Sequence, residues 1–315
     1  MHRYRLAALA AFLGILTISA HAAAPLHHTF NAAAGGTLYV DADVGSIRVN
    51  PGARNVDVTV ERSGSASALE KLEVTFSQNG NDVHIRGRYD NTHRWFSLGN
   101  DIDVNFIINV PAQYSVDLRT AGGNVEVGDL HGRVVAHTSG GNVTAGHIDG
   151  NVEAHTSGGS MRLESAQTAL LRTSGGNIQA SDVAGHLEAR TSGGSIDVHH
   201  AGDLMARSSG GGIKVGEVGG TIDAETSGGS IHIALARQPS ADSHLSTSGG
   251  SITVALASNI AVTVDAHTTG GDVETDIPVE MIGKQGEGRL NGKIHGGGPR
   301  LEMRTSGGDI RVRKL

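Results

Sequence analysis

Basic and histidine side chains recur every 17 or 18 residues through the middle of this sequence, and they are the first candidates for chemistry. They are Arg119, His137, His155, Arg172, Arg190 and Arg207. Acidic residues recur at alternate repeats. Each lies two residues before a position of the repeating column that holds these bases. They are Asp117, Glu153, Glu188 and Asp223. Residues two apart in a strand share one face, so the acids and bases are expected on one surface.

Two interpretations of this surface remain open. Acids can pair with bases of neighbouring repeats, which needs no ligand, and we favour this reading of the pattern. The alternative is a flat, repetitive surface that binds a periodic polymer such as a polysaccharide. On that alternative, the candidate binding residues are Arg119, His137, His155, Arg172, Arg190, Arg207, Glu153, Glu188, Asp223 and Trp95.

Catalysis is not indicated by these charges. Enzymes that cleave polysaccharides group several carboxylates on one face, with a basic residue or a cation beside them. Here the acids appear at alternate repeats, which places them about 9.6 Å apart if successive strands stack at about 4.8 Å. No Gly-x-Ser-x-Gly elbow, Walker loop or His-Glu-x-x-His sequence is present. We therefore expect no catalytic residues and no enzyme activity.

Histidine pairs raise the question of metal binding. His137 and His155 stand one repeat apart, and His199 and His200 are adjacent in the chain. Either pair can touch, but no Cys or acid is evident at ligand spacing to complete a set. We expect surface histidines without a metal, and no cofactor.

The candidate positions belong to a motif that occurs ten times, in which Thr or Ser and a small residue precede two Gly. The copies begin at Thr120, Thr138, Thr156, Thr173, Thr191, Ser208, Thr226, Thr247, Thr268 and Thr305. A fixed short period is the signature of a repeat architecture. The last interval is about two periods long, and Arg289–Ile294 resembles a degenerate copy within it.

Calcium is the ion to consider for repeated Gly pairs. Calcium-binding rolls need an Asp at one fixed place in every copy. The residue after the Gly pair is Asp only at Asp272 and Asp309, and it is Asn, Ser or Gly in the other copies. These residues are better explained as hydrogen-bonding groups at a corner.

Apolar residues alternate with polar ones inside each repeat, which predicts strands. The apolar positions lie four and two residues before the leading Thr and five and seven after it, as at Val134, Ala136, Val143 and Ala145. Such short strands are unstable alone, so the repeats must stack. The predicted fold is all-β: a single-stranded β-solenoid, or β-helix, of about 18-residue coils. It explains the 46 Gly as corners that need positive φ or a tight bend, and the few aromatics by a narrow interior.

The two ends of the chain are expected to close the solenoid. Residues 23–115 form a less regular, β-rich segment that caps or begins it, and residues 116–315 form the repeats. Arg311, Arg313 and Lys314 would guard the last strand as an exposed edge. Asp90–Gly99 forms a loop-like insert carrying the only Trp. Trp95 either plugs the end of the solenoid, which we favour, or docks a partner.

The first 22 residues have the features of a signal peptide. Arg3 and Arg5 precede the apolar run Leu6–Ala20, and Ala20-His21-Ala22 fits a signal peptidase site. We expect export to the periplasm or to the cell surface and extracellular space, and a mature monomer without a transmembrane span. The net charge of −7 and the scarcity of aromatics argue against nucleic acid as a partner.

The repeats, together with Ile107-Ile-Asn-Val-Pro111 and Gly296-Gly-Gly-Pro-Arg300, resemble the bacterial putative-adhesin family. The β-solenoid domain of that family has no known function and is also called toast-rack. The resemblance covers nearly all of residues 23–315 and implies a secreted or envelope-attached β-solenoid. It brings no catalytic residues with it.

The resulting functional hypothesis is an exported, non-enzymatic β-solenoid, an adhesin or surface and envelope binding protein that presents a repetitive ladder surface. Its expected partner is an envelope protein or a polysaccharide. The first alternative is an envelope-stress or assembly accessory that binds another protein. The second is a polysaccharide-processing β-helix enzyme.

Overall fold

The computed structural model describes residues 21–90, 102–282, 286 and 288–315. These residues form strands joined by tight corners, with one short helix, α1 (Ala66–Leu69). The strands are β1 (His21–Phe30), β2 (Thr37–Ala42), β3 (Ser46–Pro51), β4 (Val56–Gly64), β5 (Leu72–Asn79), β6 (Asp82–Tyr89), β7 (Ile102–Val110), β8 (Ser115–Thr120), β9 (Val125–Val127), β10 (Val134–Thr138), β11 (Val143–His147), β12 (Asn151–His155), β13 (Met161–Ala166), β14 (Thr168–Arg172), β15 (Ile178–Arg190), β16 (Ile196–Arg207), β17 (Ile213–Val218), β18 (Ile222–Thr226), β19 (Ile231–Leu235), β20 (Ser243–Thr247), β21 (Ile252–Leu256), β22 (Val262–Thr268), β23 (Val273–Thr275), β24 (Glu280–Met281), β25 (Arg289–Ile294), β26 (Arg300–Thr305) and β27 (Ile310–Lys314). Across the described ranges, no helix has the length and hydrophobicity that crossing a bilayer requires.

Each repeat forms one coil, which we name by the Thr or Ser that opens its motif. In the coil of Thr138, β10 precedes the corner and β11 follows it. β10 pairs in parallel with β8 and β12, and β11 pairs in parallel with β9 and β13. Equivalent motif positions face each other, so Val134 lies between Val116 and Val152. This arrangement confirms the predicted β-solenoid.

The interior consists of columns of small and branched apolar side chains, at the positions that the sequence predicts. Val134, Ala136, Val143 and Ala145 are all exposed by 3% or less. Another inward column follows ten residues after the leading Thr, and the alternation alone did not reveal it. Its members include Leu130, Ile148, Ala166, Val183, Ala201 and Val218. Stacking like positions gives a continuous core that no single coil can supply.

The leading Thr of each motif points inward and ties its coil to the preceding one. The Thr156 hydroxyl donates a hydrogen bond to the carbonyl oxygen of Gly141 at 2.8 Å and accepts one from the Gly159 N–H at 3.2 Å. Thr156 is buried, so these bonds satisfy a hydroxyl that water cannot reach. The bond to a Gly carbonyl recurs at Thr120, Thr138, Thr173, Thr191, Ser208, Thr226, Thr247, Thr268 and Thr305.

Close stacking explains the second Gly of each pair. A Cβ on Gly159 would lie 2.0 Å from the carbonyl oxygen of Gly141, whereas a Cβ on Gly158 would lie 3.6 Å from its nearest neighbour, the carbonyl oxygen of Gly140. The sequence left two explanations for these corners, positive φ or a tight bend, and the first does not apply. In the described ranges, the glycines with positive φ lie outside the repeated pairs. The corner needs Gly because two backbones approach there.

The C-terminal coil lies inside the stack. β26 pairs in parallel with both β20 and β22, and β27 pairs with both β21 and β23. The coil of Thr305 is therefore inserted between the coils of Thr247 and Thr268. The proposed role of Arg311 as a guard of a last edge was wrong, because β27 has a neighbour on each side at this residue. Of the described strands, only β21 pairs with Arg313 and Lys314.

The chain reaches this position by reversing direction beyond the coil of Thr268. β25 pairs antiparallel with β22, and β24 pairs antiparallel with β25. Gly296 and Gly297 both have a φ of 84°, a left-handed conformation that permits the turn back into the stack. The prediction of a degenerate coil at Arg289–Ile294 was wrong, because this segment runs antiparallel to β22 and lies between β22 and β24.

The N-terminal end mirrors this arrangement. β2 lies between β6 and β8, and β3 lies between β7 and β9, all in parallel. Outside them, β5 pairs antiparallel with β6, β4 with β7, and β1 with β4. The first coil in the sequence is thus enclosed, and antiparallel strands cover the end of the solenoid.

Candidate functional site

A shallow groove runs along the corners of the coils, where residues on both sides of the buried Thr reach the surface. One section extends from Asp41 to Ser174, and a second shares Arg172 and Thr173 with it and extends to Ser227. We call both sections together the corner groove. Its basic lining consists of Arg119, His137, His155, Arg172, Arg190 and Arg207. The structure therefore brings these six sequence candidates together in one line.

A row of serine side chains accompanies the basic residues. It follows the leading Thr by one position and consists of Ser139, Ser157, Ser174, Ser192, Ser209 and Ser227. The described side chains of this row are exposed. These serines were not among the candidates predicted from the sequence, although their fixed place after the Thr was the available signal.

The acidic candidates lie beside the groove and pair with its bases. The Glu188 carboxylate contacts Arg172 of the previous coil at 2.6 Å and Arg190 of its own strand at 2.7 Å. Arg207 pairs with Asp223 of the next coil at 3.0 Å. The charge pairing across coils that the sequence indicated is therefore present.

The two arginines beside Glu188 keep this carboxyl group ionised. Burial works against ionisation of Glu188, but the hydrogen bond from Arg172 and the charge of Arg190 outweigh it and hold the pKa of this carboxyl below its usual range. The arginines are partly exposed to water, at 43% and 42% of their side-chain surface. Each pair therefore contributes little to stability and mainly fixes the positions of the guanidinium groups.

Apolar side chains separate the acids in alternate coils. Between Glu153 of β12 and Glu188 of β15 stands Leu170 of β14. Val135 is buried, and Leu170 and Met205 are half-buried. In this part of the column no two carboxylates are direct neighbours, which is not the arrangement that a pair of catalytic carboxylates needs.

Two histidines and one glutamate meet where β10 and β12 adjoin. His137 and His155 are partners in the strand register, and their rings stack with centroids 4.9 Å apart and planes inclined by 9°. Glu153 lies beside them, and one potential ligand atom from each of the three residues lies within 4.8 Å of the other two. We call these residues the His–Glu cluster. The sequence argument that no acid stands at ligand spacing was wrong for this pair.

The surroundings also favour the neutral form of one ring. Burial, the adjacent His137 and the charge of Arg172 lower the pKa of His155 below its ordinary value, while Glu153 acts in the opposite direction. In the other histidine pair, one ring has an acidic partner of its own. His200 contacts the carboxylate of Asp182 at 2.7 Å.

The residues after the Gly pairs form a hydrogen-bonded ladder of their own. The Asn142 side-chain oxygen accepts the N–H of Ser160 at 2.8 Å. The carboxylate of Asp309 accepts the N–H of Asp272 at 3.1 Å in the same way. Asp309 thus takes the corner role that Asn and Ser take in other coils.

Trp95, the remaining candidate, lies outside the described residues. The flanking strands β6 and β7 belong to the outermost parallel coil at the N-terminal end. Both interpretations of Trp95, as a plug or as a docking residue, stay predictions.

Comparison with solved structures finds similar chains of low sequence identity. A putative adhesin from Bacteroides fragilis NCTC 9343 is 13% identical, with 92% of this chain and 97% of that chain covered and a TM-score of 0.41. A putative adhesin from Parabacteroides distasonis ATCC 8503 is 14% identical, with 93% and 97% covered and a TM-score of 0.33. A putative lipid binding protein from the same strain is 13% identical, with 91% and 96% covered and a TM-score of 0.26. No curated protein matches this chain.

Because those TM-scores are low, the family assignment rests on the sequence. The model of the Toastrack DUF4097 family matches residues 37–205 and 203–313. The matched residues include every described coil of the solenoid, from the coil of β2 and β3 to the inserted coil of Thr305. The chain belongs to the Toastrack DUF4097 family.

Proposed function

We propose that this chain is an exported, non-enzymatic surface protein of the adhesin type, which binds a polysaccharide along the corner groove. The observation that carries the proposal is the continuity of the groove. Its two sections share Arg172 and Thr173, so equivalent polar groups repeat along adjacent coils without interruption. Export is supported by the signal-peptide features of residues 1–22.

The chemistry of the groove suits a polymer rich in hydroxyl and carboxylate groups. Each guanidinium group has five N–H donors, and the pair between Arg207 and Asp223 occupies only part of them. The neighbouring serine hydroxyls both donate and accept hydrogen bonds. Since coils stack at about 4.8 Å, such groups are offered at regular intervals, as a polymer with a regular repeat requires.

The absence of neighbouring carboxylates in the central acidic column supports a binding role over hydrolysis. Glu153, Glu188 and Asp223 are separated by coils that carry Leu170 and Met205 at the equivalent position. Each of these carboxylates also pairs with an arginine. Such pairing suits a group that holds the arginine in position better than a group that donates a proton to a substrate.

A glycan array with purified protein tests the proposal. We expect binding to a polysaccharide that the double variant Ser192→Glu/Ser209→Glu abolishes, since two new negative charges would line the groove. Both serines are exposed, so the fold should tolerate the change. The matched control is Lys214→Glu on β17, which alters the net charge equally at an exposed site outside the groove and should leave binding unchanged.

Three results would contradict the proposal. Capture of a single envelope protein in a pull-down, without any glycan binding, would favour the accessory alternative. Cleavage of a bound polymer, lost on Glu188→Gln, would favour an enzyme. Equal loss of binding in Lys214→Glu would show that net charge, and not the groove, governs binding.

A further inference from the structure

The His–Glu cluster places three side chains of metal-binding type in one part of the corner groove. One ligand atom each from His137, Glu153 and His155 lies within 4.8 Å of the others. We propose that these three residues bind a divalent transition-metal ion of the Zn²⁺ type. The inference is independent of the polysaccharide proposal, since it concerns the ion alone.

The strand register holds the three residues together. His137 and His155 are direct partners on the parallel strands β10 and β12, which keeps their rings face to face. Glu153 lies two residues before His155 on the same strand and therefore projects from the same face. The backbone hydrogen bonds of the solenoid thus fix the three Cα positions before any ion binds.

The kinds of donor atom select the class of ion. Two imidazole nitrogens and one carboxylate oxygen form a set that suits Zn²⁺ and related transition metals, whereas Ca²⁺ and Mg²⁺ prefer oxygen ligands. Three protein ligands leave at least one position for water or another molecule. The side chains of His155 and Glu153 are exposed by 30% and 36%, so an ion can reach them from the groove.

Small side-chain movements complete the required geometry. In a tetrahedral zinc site, bonds of about 2.0–2.2 Å place ligand atoms about 3.3 Å apart. The carboxylate of Glu153 lies 3.9 Å from Nε2 of His155. Its second oxygen is held by Arg133 at 2.9 Å, which orients the first oxygen toward the histidines.

The neighbouring positive charges are largely compensated. Arg119, one coil before the cluster, pairs with Asp117 at 3.0 Å. Arg172, one coil after it, pairs with Glu188 at 2.6 Å. The same column carries Arg in both of these coils, and Arg cannot ligate a metal because it has no acceptor atom. The two adjacent histidines are therefore a local departure from an otherwise arginine-bearing column.

Among the described residues, one ring of the cluster has no hydrogen-bonding partner on its buried side. The Nδ1 atom of His137 is buried and makes no hydrogen bond within the described part of the chain. The protein thus does not use the full bonding capacity of this imidazole, whereas His200 contacts its own aspartate. This difference distinguishes the cluster from the other histidine pair.

Calorimetric titration of the untagged, chelator-treated protein with ZnCl₂ tests the proposal. We expect one ion per chain at the strongest site, and at least tenfold weaker binding in His137→Arg and in His155→Arg. Both changes introduce the side chain that adjoining coils carry in this column, so the melting temperature should change little. His200→Gln is the control, because it removes a histidine outside the cluster, and its affinity should equal that of the parent chain.

Titration with Co²⁺ supplies a second readout. Visible absorption bands of tetrahedral Co²⁺ are expected in the parent chain and in His200→Gln, and their loss is expected in Glu153→Gln. The proposal is overturned if the parent chain binds neither ion at stoichiometric concentration. It is equally overturned if His155→Arg binds Zn²⁺ as tightly as the parent, which would locate binding at other histidines.

Discussion

We expect Gly159→Ala to destabilise the protein by about 3 kcal/mol or more, which is at or above the upper end of ordinary overpacking. The new Cβ would lie 2.0 Å from the carbonyl oxygen of Gly141 in the preceding coil. A contact this short forces the two coils apart. The displacement would weaken the bond from Thr156 to the same carbonyl oxygen. Thermal melting followed by circular dichroism measures the loss.

The adjacent glycine provides the control for this prediction. A Cβ on Gly158 would lie 3.6 Å from the nearest atom, an ordinary van der Waals contact. Gly158→Ala should therefore change stability by less than about 1 kcal/mol. Equal effects of the two substitutions would show that backbone conformation, and not the approach of neighbouring coils, accounts for the Gly pair.

Removal of residues 299–315 should disrupt the C-terminal part of the solenoid far beyond the residues removed. In a simple solenoid, loss of a terminal repeat shortens the stack and leaves the rest intact. Here β26 and β27 lie between the coils of Thr247 and Thr268. Leu301, Met303, Ile310 and Val312 are fully buried or nearly so, and each contributes about 1.5–3 kcal/mol of hydrophobic stabilisation.

Hydrogen exchange measures this effect directly. We expect the amides of β22 and β23 to lose their protection in the truncated chain, although these strands remain in its sequence. Removal of Leu315 alone is the control, because its side chain is 57% exposed and the change should leave exchange unaltered. Full protection of β22 after the longer truncation would mean that this strand packs on β20 without the inserted coil.

The repeats could be predicted because the residue pattern that specifies each strand lies within a short stretch of sequence. The alternation at Val134 and Ala136, and at Val143 and Ala145, identifies the inward face of each strand without knowledge of the neighbouring coils. In-register stacking then follows, since equivalent positions of similar repeats bury each other best. The same local pattern predicts Arg172 and Arg190 on one outward surface, where the structure also has them.

The order in which the coils stack could not be predicted, because a pattern inside one coil does not specify its neighbours. The strands of the coils of Thr247, Thr268 and Thr305 have equivalent patterns, so each one can bury the inward face of either other. The choice depends on the antiparallel strand β25 and on the turn at Gly296 and Gly297. These features act between distant residues, and the alternation of apolar residues carries no signal of them.

The sequence predicted only part of the candidate functional surface. The basic column was visible because charge at a fixed spacing is conspicuous, but the serine row at Ser192 and Ser209 was hidden within the repeated motif. The His–Glu cluster was missed because Glu153 was assigned to a column of acids that pair with bases of neighbouring repeats. It does pair with Arg133, at 2.9 Å, yet its other oxygen faces His155. A carboxylate has two oxygens, and the sequence cannot show that their partners differ.

The insertion of the coil of Thr305 between the coils of Thr247 and Thr268 is the central claim about the fold, and engineered disulfides test it most directly. The chain has no Cys. Ser246 is the register partner of Arg304, and Arg304 is in turn the partner of His267. Ser246 and His267 therefore stand two coils apart, about 9.6 Å, which exceeds the reach of a disulfide.

Mass spectrometry of the oxidised double variants gives the decisive measurement. We expect a disulfide in Ser246→Cys/Arg304→Cys and none in Ser246→Cys/His267→Cys. The opposite result, with a disulfide only in the second variant, would mean that the coils stack in sequence order. It would contradict the insertion of the coil of Thr305 between the coils of Thr247 and Thr268.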